Sequence, residues 1–552
     1  MTAPQRPPRR GRSFDLRRGG AGIASAALLV ASVTVVARVV GFGRVLVFAH
    51  TVGPSCLGDT YYTANTVPNI VFDVVAGGAL SSLAVPVLAR PVEQGDDATA
   101  DRIASALLTW VLLLLLPITA LGLALARPIM DVLVGNGHPG CPATAEQVVG
   151  ARMLLVFMPQ VLLYGAGVVF IGVLQAHRRF LGPAVAPLLS SLVVIGSYGL
   201  FAAVADRRET GLSTLTRHHE LILSVGTTLG VAMLSLPLLV PLHRAGRRLR
   251  PTLRFPPGVA ATARRMAVAG AVVLGSQDLA TGAILRLAND RGSGGAVVLF
   301  NLAWTVFLLP WAVLAVPIAT AAFPTLTARW QAGDRDSYAA TVARTTRGVV
   351  VATAGAAAVM VATALPAARV LVLGAPGGVA PHVLARALVA FAPGLLGYGI
   401  VAHLSRAHYA RNDARTPAIA TAIGWALVVA ADVVLVAALP RDWTAAALGL
   451  GSSFGLTVAG VWLVVSLRRQ VGGASLAGTL STSTVSVLAA ALAAAGGYAA
   501  SRALPGGGVT GSVGVTAVVA AAALAIFVAV VARFDPSTLR LLLRRGQPPT
   551  GG

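Results

Sequence analysis

The sequence has little charge, very little cysteine and no lysine. Only 11% of its 552 residues are charged, against about 25% in an ordinary soluble domain, so a water-soluble globular protein is excluded. Two cysteines are too few for a disulfide-rich scaffold or a thiolate metal framework. All 43 basic residues are arginines, and most of them lie in short segments between apolar runs. The net charge of +23 therefore does not indicate a nucleic-acid partner, because such loop arginines orient membrane helices.

What the sequence does have is hydrophobic length. Hydrophobic residues make up 56% of the chain and cluster in runs of about 20 residues, enough for a helix to cross a bilayer. The runs predict an all-α polytopic membrane protein with about 14 transmembrane helices. The predicted spans are residues 22–50, 61–89, 102–126, 147–175, 181–205, 220–243, 266–289, 295–327, 346–366, 383–408, 416–440, 445–467, 482–501 and 511–533.

The arginines divide unequally between the two sides of this topology. Thirty lie on the side of the N-terminus and eight on the other. Because positively charged loops stay in the cytoplasm, we expect a multi-pass protein of the inner (plasma) membrane with both termini cytoplasmic. The predicted segments are a disordered basic tail (1–21), an N-terminal six-helix lobe (22–243), a basic cytoplasmic linker (244–265), a C-terminal six-helix lobe (266–467), two appended helices (482–533) and a cytoplasmic tail (534–552).

An internal repeat relates the two predicted lobes. Nine residues between Ala151 and Pro183 recur 234 positions later, between Ala385 and Pro417. Since six spans separate the copies, both have the same orientation, and the repeat predicts two parallel six-helix lobes around a central cavity. Such a duplication is typical of transporters. The sequence offers no catalytic constellation and no metal spacing, so a transporter is favoured over an enzyme.

Two arginines lie inside the first span, Arg38 and Arg44. A charged side chain in the membrane costs about 2.5 to 3.5 kcal/mol on insertion scales, so each needs a partner or a task. A guanidinium fork suits phosphate oxygens, which predicts an anion-binding role. The alternative is a buried ion pair with Asp59 or Asp73.

The second span carries a polar stripe. Asn65, Asn69 and Asp73 follow one another at every fourth position and so share one helix face. Such a face meets either a water-filled cavity or another polar helix, and both interpretations of Asn65 and Asn69, substrate binding and packing, remain open. Asp59 lies at the outer rim, where it can cap the helix.

Acidic residues also occur inside the second predicted lobe. Asp278 and Arg286 share the seventh span, and Asp432 stands alone in the eleventh. An isolated carboxylate in a span indicates a cation or proton site, or a partner for Arg286. We predict Asp278 and Asp432 as a possible ion site for an unidentified coupling cation, and no other cofactor or metal.

The two cysteines, Cys56 and Cys141, fall in polar loops between spans one and two and between spans three and four. The topology places both loops outside the cytoplasm, where disulfides persist. The alternative is a pair of buried thiols that act as small apolar residues, but Gly/Pro-rich loops bury little. We therefore predict a disulfide that ties the first helical hairpin to the second.

The first hundred residues resemble the MurJ/MviN family of lipid II flippases, within the multidrug/oligosaccharidyl-lipid/polysaccharide exporter superfamily. The residues that carry the resemblance are the run Ala37–Arg44, Gly58-Asp59, Pro68-Asn69 and Gly78-Ala79. The resemblance implies a V-shaped cavity that accepts a lipid-linked disaccharide-pentapeptide on the cytoplasmic side and releases it outside by alternating access. It also implies that Arg38 and Arg44 face the pyrophosphate and that Asp59 belongs to the outer gate.

The chain departs from the family at three positions. Many relatives have arginine where this chain has Phe72, an acidic residue where it has Gly77, and a further cavity arginine near Thr305. The arginine-only, Ala/Val/Gly-rich composition favours a GC-rich, actinobacterial source and a diverged member.

The expected function is therefore lipid II flipping in peptidoglycan synthesis, cell-wall biogenesis and cell shape. Its expected partners are an undecaprenyl-type lipid-linked glycan, membrane lipids and cell-wall synthesis enzymes, with no nucleic acid. One alternative is an exporter of another polyprenyl-linked glycan or of an amphipathic small molecule. Another is a non-transporting scaffold for cell-wall enzymes. The sequence leaves the energy source open between membrane potential and an ion gradient.

Overall fold

The computed structural model describes residues 16–74, 88–137, 140–205, 212, 214–247, 249–254, 259–504 and 507–538. The side chains of residues 16–27 and 259–272 are outside that description. Gly77, the tail up to residue 15 and the tail from residue 539 also lie outside the described residues, so the predictions made for them have no structural counterpart.

The described chain is all-helical, as the hydrophobic runs predict, with no strand in the ranges given above. The helices, in chain order, are α1 (Leu16–Thr51), α2 (Cys56–Phe72), α3 (Asp97–Ala124), α4 (Ala126–Val134), α5 (Ala143–Phe157), α6 (Gln160–Ala176), α7 (Leu181–Val204), α8 (Arg217–Ser235), α9 (Leu239–Arg244), α10 (Val259–Arg291), α11 (Ala296–Pro310), α12 (Val316–Gln331), α13 (Arg335–Ala362), α14 (Ala364–Val372), α15 (Pro381–Phe391), α16 (Gly394–Ala410), α17 (Arg415–Ala438), α18 (Thr444–Val471), α19 (Thr479–Ala503) and α20 (Gly508–Phe534).

Eleven helices or continuous helix runs in the described residues are long and apolar enough to cross a membrane. A twelfth is counted when α15 and α16, which meet at a 41° bend, are taken as one span. Each of these twelve overlaps one predicted span. The other two predicted spans coincide with α2 and α10, so the number fourteen stays a prediction, while the multi-pass membrane protein is confirmed.

The helix lengths of the first half recur in the second half. Helices α3 and α13 have 28 residues each, α4 and α14 have nine, α6 and α16 have 17, and α7 and α17 have 24. The same capping residues recur: Asp96 accepts the backbone N–H of Thr99 before α3, and Asp334 accepts that of Ser337 before α13. The duplication found in a short sequence block therefore extends over most of both halves.

Packing follows the same repeat. In the first half α1 packs on α7, α2 on α5, α3 on α6 and α7 on α8. In the second half α10 packs on α17, α11 on α15, α13 on α16 and α17 on α18. Helices α19 and α20 pack on each other and on α13. The arrangement is two similar helical lobes with two appended helices, and the exact domain bounds stay a prediction.

The principal contacts between the two lobes lie at one end of the molecule. They join α1 to α14, α2 to α11, α2 to α10 and α4 to α10. That end carries the connections from α1 to α2 and from α10 to α11. The linker that follows α9 lies at the opposite end, because α8 leads away from the contact end.

The linker is hydrogen-bonded to α3. Its backbone N–H groups at Arg250 and Thr252 donate to the hydroxyls of Ser105 and Thr109 on α3, at 3.0 and 3.1 Å. Two extended residues rise about 6.6 Å and four helical residues about 6 Å, so the spacings match. We call residues 247 and 249–254 the strap. Helix α10 begins at Val259, and the linker bounds 244–265 stay a prediction.

Candidate functional site

The predicted anion-binding arginines lie on α1 without protein partners. The Arg38 side chain is exposed and the Arg44 side chain is half-buried. Within the part of the chain that the structure describes, neither guanidinium forms an ion pair or hydrogen bond with Asp59, Asp73 or any other side chain. The ion-pair alternative therefore finds no support, and two unpaired cations remain in a membrane span.

An aromatic cluster lies beside Arg44. Its positive charge acts on Tyr61, Tyr62, Tyr164 and Tyr198. The Tyr61 hydroxyl lies 2.8 Å from the Tyr198 hydroxyl and 2.6 Å from the Thr227 hydroxyl, which fixes α2 to α7 and α8. Tyr61 and Tyr198 are buried and Tyr62 and Tyr164 are half-buried, so these rings form an aromatic wall beside Arg44.

The polar stripe on α2 faces partly inward. The Asn69 side-chain amide donates to the backbone carbonyl of Asn65 at 3.0 Å, and the side-chain oxygen of Asn65 is buried with no hydrogen-bond partner. Phe72, where relatives carry arginine, packs on Tyr164 with ring centroids 5.3 Å apart. Thr305 bonds only its own helix, at the Asn301 carbonyl. Substrate binding by Asn65 and Asn69 stays a prediction.

Asp59 joins the two lobes. Its buried carboxylate accepts the backbone N–H of Gly295 at 2.8 Å and that of Val298 at 2.9 Å. These N–H groups belong to the first turn of α11, which has no partner within its own helix for them. Gly295 itself has a φ of 89°, a left-handed conformation that favours glycine. An Asp of the first lobe thus caps a helix of the second.

Further contacts close the same end. The buried Asn289 amide donates to the Thr63 hydroxyl at 2.9 Å and to the Leu133 carbonyl at 3.2 Å. The Asn136 backbone N–H donates to Asp290 at 3.2 Å. We call this group of contacts, with that of Asp59, the outer closure, after the side of the membrane that the sequence predicts for this end.

Arg286 belongs to the outer closure. Its guanidinium pairs with Asp290 at 3.0 Å, one helical turn along α10, and it lies against Gly135 of the first lobe. The possibility that Arg286 pairs with Asp432 is therefore wrong.

The cysteines are bonded to each other. The Cys56–Cys141 disulfide has Cα atoms 5.6 Å apart, within the range that a bridge requires. It ties the first residue of α2 to the segment just before α5, next to Asp59. The disulfide therefore holds in place the part of the first lobe that forms the outer closure.

The two predicted ion-site carboxylates are buried in separate surroundings. Asp432 is fully buried, lies against Gly451 of α18, and neither of its oxygens has a hydrogen-bond partner. Asp278 is 7% exposed with one unpartnered oxygen, and the charged group acting on it is Asp73 of the first lobe. A joint cation site of Asp278 and Asp432 stays a prediction.

Sequence reasoning missed two features near the site. Glu146, at the start of α5, is buried next to the disulfide; its signal was an acidic residue immediately before a predicted span. Arg152 forms a two-pronged ion pair with the buried Glu220, with the closest approach 2.6 Å. Its repeat counterpart Arg386, 234 positions later, pairs with Asp442 at 2.9 Å.

The chain is similar to known lipid II flippases. The family model described as "Lipid II flippase MurJ" matches residues 48–519. A lipid II flippase MurJ of Burkholderia cenocepacia is 30% identical over 175 residues, 31% of this chain and 33% of that protein. A probable lipid II flippase MurJ of Synechocystis sp. is 30% identical over 245 residues, 43% of each chain. The chain thus aligns with a third to under half of these relatives' length.

Solved structures share the fold. A structure of lipid II flippase MurJ in an inward closed conformation has a TM-score of 0.70 at 17% identity, covering 92% of this chain and 99% of that one. A multidrug resistance MATE family transporter in an inward-facing conformation has a TM-score of 0.63 at 16% identity, covering 81% and 98%. With a family model that matches most of its residues, this chain belongs to the MurJ family.

Proposed function

We propose that this chain is a lipid II flippase, which moves the lipid-linked peptidoglycan precursor from the inner to the outer leaflet by alternating access. The family is one of transporters, so the chain is a transporter and not an enzyme. The observation that carries the substrate assignment is the pair of unpaired arginines on α1. Such charges are costly in a membrane unless a ligand neutralises them.

The chemistry of the arginines fits a pyrophosphate. A guanidinium donates two parallel N–H bonds to phosphate oxygens, and Arg38 and Arg44 lie six residues, about 1.7 helical turns, apart on one helix. A diphosphate spans several oxygens and so can be shared between them. Arg44 has the aromatic wall beside it, which limits the positions that its side chain can take.

The contacts between the lobes support alternating access. The outer closure seals one end, and we propose that this end faces outside and that the strap end faces the cytoplasm. Export then requires the outer closure to open, with loss of the bonds from Asp59 to α11 and from Asn289 to Thr63. The Asn289 bond contributes about 1 kcal/mol net and each bond to the Asp59 carboxylate about 1.5 to 3 kcal/mol, so opening requires several kcal/mol from substrate binding or from new contacts.

The location and coupling complete the proposal. The excess of arginine on the strap side supports a plasma-membrane protein with both termini cytoplasmic. A coupling cation at Asp278 or Asp432 is supported by buried carboxylate oxygens that lack protein donors. Association with cell-wall synthesis enzymes stays a prediction from the resemblance alone.

A related substrate is the second candidate. Two positions at which relatives carry arginine hold Phe72 and Thr305, and Phe72 contributes to an aromatic contact instead. Fewer cations favour an exporter of another polyprenyl-linked glycan with less negative charge.

Complementation separates the two candidates. The chain is expressed in cells depleted of their own flippase, and lipid II exposed at the outer surface is labelled. A lipid II flippase restores growth and labelling. If the chain reaches the membrane at normal levels but labelling stays at the depleted level, lipid II is not its substrate.

A further inference from the structure

Glu146 is an unsatisfied group in an otherwise well-bonded region. Its side chain is 1% exposed, and neither carboxylate oxygen has a hydrogen-bond partner. It lies in the first turn of α5, where the positive end of the helix dipole favours a negative charge. The dipole supplies no hydrogen-bond donor, however. A buried carboxylate without a donor needs a proton, a water molecule or a cation to stabilise it.

The neighbours of Glu146 are the two sulfur atoms. One carboxylate oxygen of Glu146 and the sulfurs of Cys56 and Cys141 all lie within 4.8 Å of one another. Cys141 is 4% exposed and Cys56 is half-buried, so the cluster is enclosed on most sides and reachable from one. With the disulfide formed, the sulfurs donate nothing to the carboxylate.

We propose that Cys56, Cys141 and Glu146 form a binding site for one divalent cation of the zinc class whenever the disulfide is reduced. Zinc bonds of about 2.3 Å to sulfur and 2.0 to 2.2 Å to oxygen place neighbouring ligand atoms under about 4 Å apart. After reduction the two sulfurs must separate from bonding distance to about 3.7 Å, and the Glu146 oxygen, already within 4.8 Å of both sulfurs, needs only a small approach. Two thiolates and one carboxylate leave a fourth position for water, which the half-exposed side of Cys56 can admit.

Reduction of the disulfide and binding of the cation are two separate steps. A dithiol or phosphine reductant gives two electrons to the Cys56–Cys141 bond, which takes up two protons and becomes two thiols. The cation then binds both sulfurs as thiolates and releases two protons, since only the thiolate is a ligand. Glu146 contributes a third negative charge, so the site carries one more negative charge than the dication.

Asp59 strengthens the site without being a ligand. Its carboxylate acts electrostatically on Glu146 and so adds to the negative potential that attracts a cation. Its oxygens bond the first turn of α11. The three-ligand site and the cap of α11 are therefore neighbouring but separate.

The consequence is that two different cross-links hold the same two segments. Either a disulfide or a bound cation fixes the first residue of α2 to the start of α5, and so supports the outer closure in both redox states. This inference does not depend on which substrate is transported.

The test uses the full chain in detergent, treated with a phosphine reductant that is then removed. Titration with Co²⁺ alone is expected to give thiolate-to-metal absorption that saturates at one ion per chain. Cys56→Ser abolishes the absorption and Glu146→Gln weakens affinity by about tenfold or more. Asp131→Asn, which alters a half-exposed carboxylate on α4, is the matched control and leaves the titration unchanged. Absence of thiolate absorption, or equal affinity in Glu146→Gln, overturns the proposal.

A second measurement guards against unfolding of the reduced protein. In isolated membranes the reduced chain is alkylated with a maleimide in the presence or absence of Zn²⁺. Zn²⁺ is expected to slow alkylation of Cys56 and Cys141 in the parent chain and in Asp131→Asn, but much less in Glu146→Gln. Equal alkylation rates with and without Zn²⁺ in the parent chain overturn the proposal.

Discussion

The carboxylate of Asp59 accepts the backbone N–H of Gly295 at 2.8 Å, and this bond crosses between the two lobes. It joins an anionic side chain to the positive end of α11, where the first-turn N–H groups have no carbonyl partner within their own helix. The same atoms cannot stay bonded if the lobes separate at this end. Asp59 therefore links the capping of α11 to the closed conformation.

Replacement of Asp59 by Ala tests this link. Loss of a helix cap costs about 0.5 to 2 kcal/mol, and here the loss falls on the closed conformation. We expect faster hydrogen exchange at the backbone amides of residues 295–298, with unchanged exchange in α19. Asp131→Asn serves as the control, since Asp131 pairs only within α4. Unchanged exchange at the start of α11 would show that Asp59 does not hold the closure.

Arg38 offers a test of substrate contact. Because its guanidinium has no ion pair or hydrogen bond with any residue that the structure describes, we expect Arg38→Ala to lower transport strongly while membrane insertion and thermal stability stay normal. Arg38→Lys keeps the charge but not the fork, so it should retain only part of the activity. Rescue of flippase-depleted cells and the amount of protein in the membrane are measured together.

The control for Arg38 is Arg502→Ala, at the end of the appended helix α19, which should behave as the parent chain. Full transport by Arg38→Ala would assign that arginine a structural role instead.

Sequence periodicity and composition predict the class of fold well, because each span must satisfy its own backbone hydrogen bonds and therefore appears as a continuous apolar run. The repeat at Arg152 and Arg386 was visible because both copies kept the same residues at the same spacing. The Cys56–Cys141 proximity followed from topology, since both loops face one side. These features depend on short stretches of chain or on their order.

The partners of the charged residues could not be predicted in the same way. Asp59 bonds a backbone group 236 positions away, and a backbone donor leaves no signature in the side-chain sequence. Glu220 is the partner of Arg152 through the packing of α5 on α8, which spacing along the chain does not reveal. The strap was likewise hidden, because two of its bonds to α3 come from backbone N–H groups.

The strap provides a charge-reversal test. Arg247 pairs with Asp97 at 2.7 Å and approaches Asp101 at 3.6 Å, while Asp97 is half-exposed. A pair of this exposure contributes at most about 1 kcal/mol. Arg247→Asp should therefore leave the free energy of unfolding of the whole chain nearly unchanged but detach the strap from α3. Limited proteolysis within the strap is expected to become faster.

The double change Arg247→Asp with Asp97→Arg restores opposite charges and should recover most of the protection. Arg244→Asp, three residues upstream and without an ion pair in the described chain, is the matched control. Equal proteolysis of all variants would mean that the backbone bonds to Ser105 and Thr109 hold the strap unaided.

Asp432 permits a test that separates a cation site from an uncharged buried acid. An ionised carboxylate without donors is costly in the membrane interior, and a ligand that binds only the folded state stabilises it by an amount that grows with its concentration. If Asp432 holds a cation, the parent chain should unfold at a higher temperature in a chloride salt of that cation than in choline chloride. The Asp432→Asn variant should unfold at the same temperature in both salts. Asp278→Asn tests the second carboxylate in the same way, and Asp442→Asn, on an exposed ion pair, is the control.

An Asp432→Asn protein that is more stable than the parent in every salt would instead indicate a protonated acid with no bound ion, because removal of the acid would then relieve an uncompensated burial.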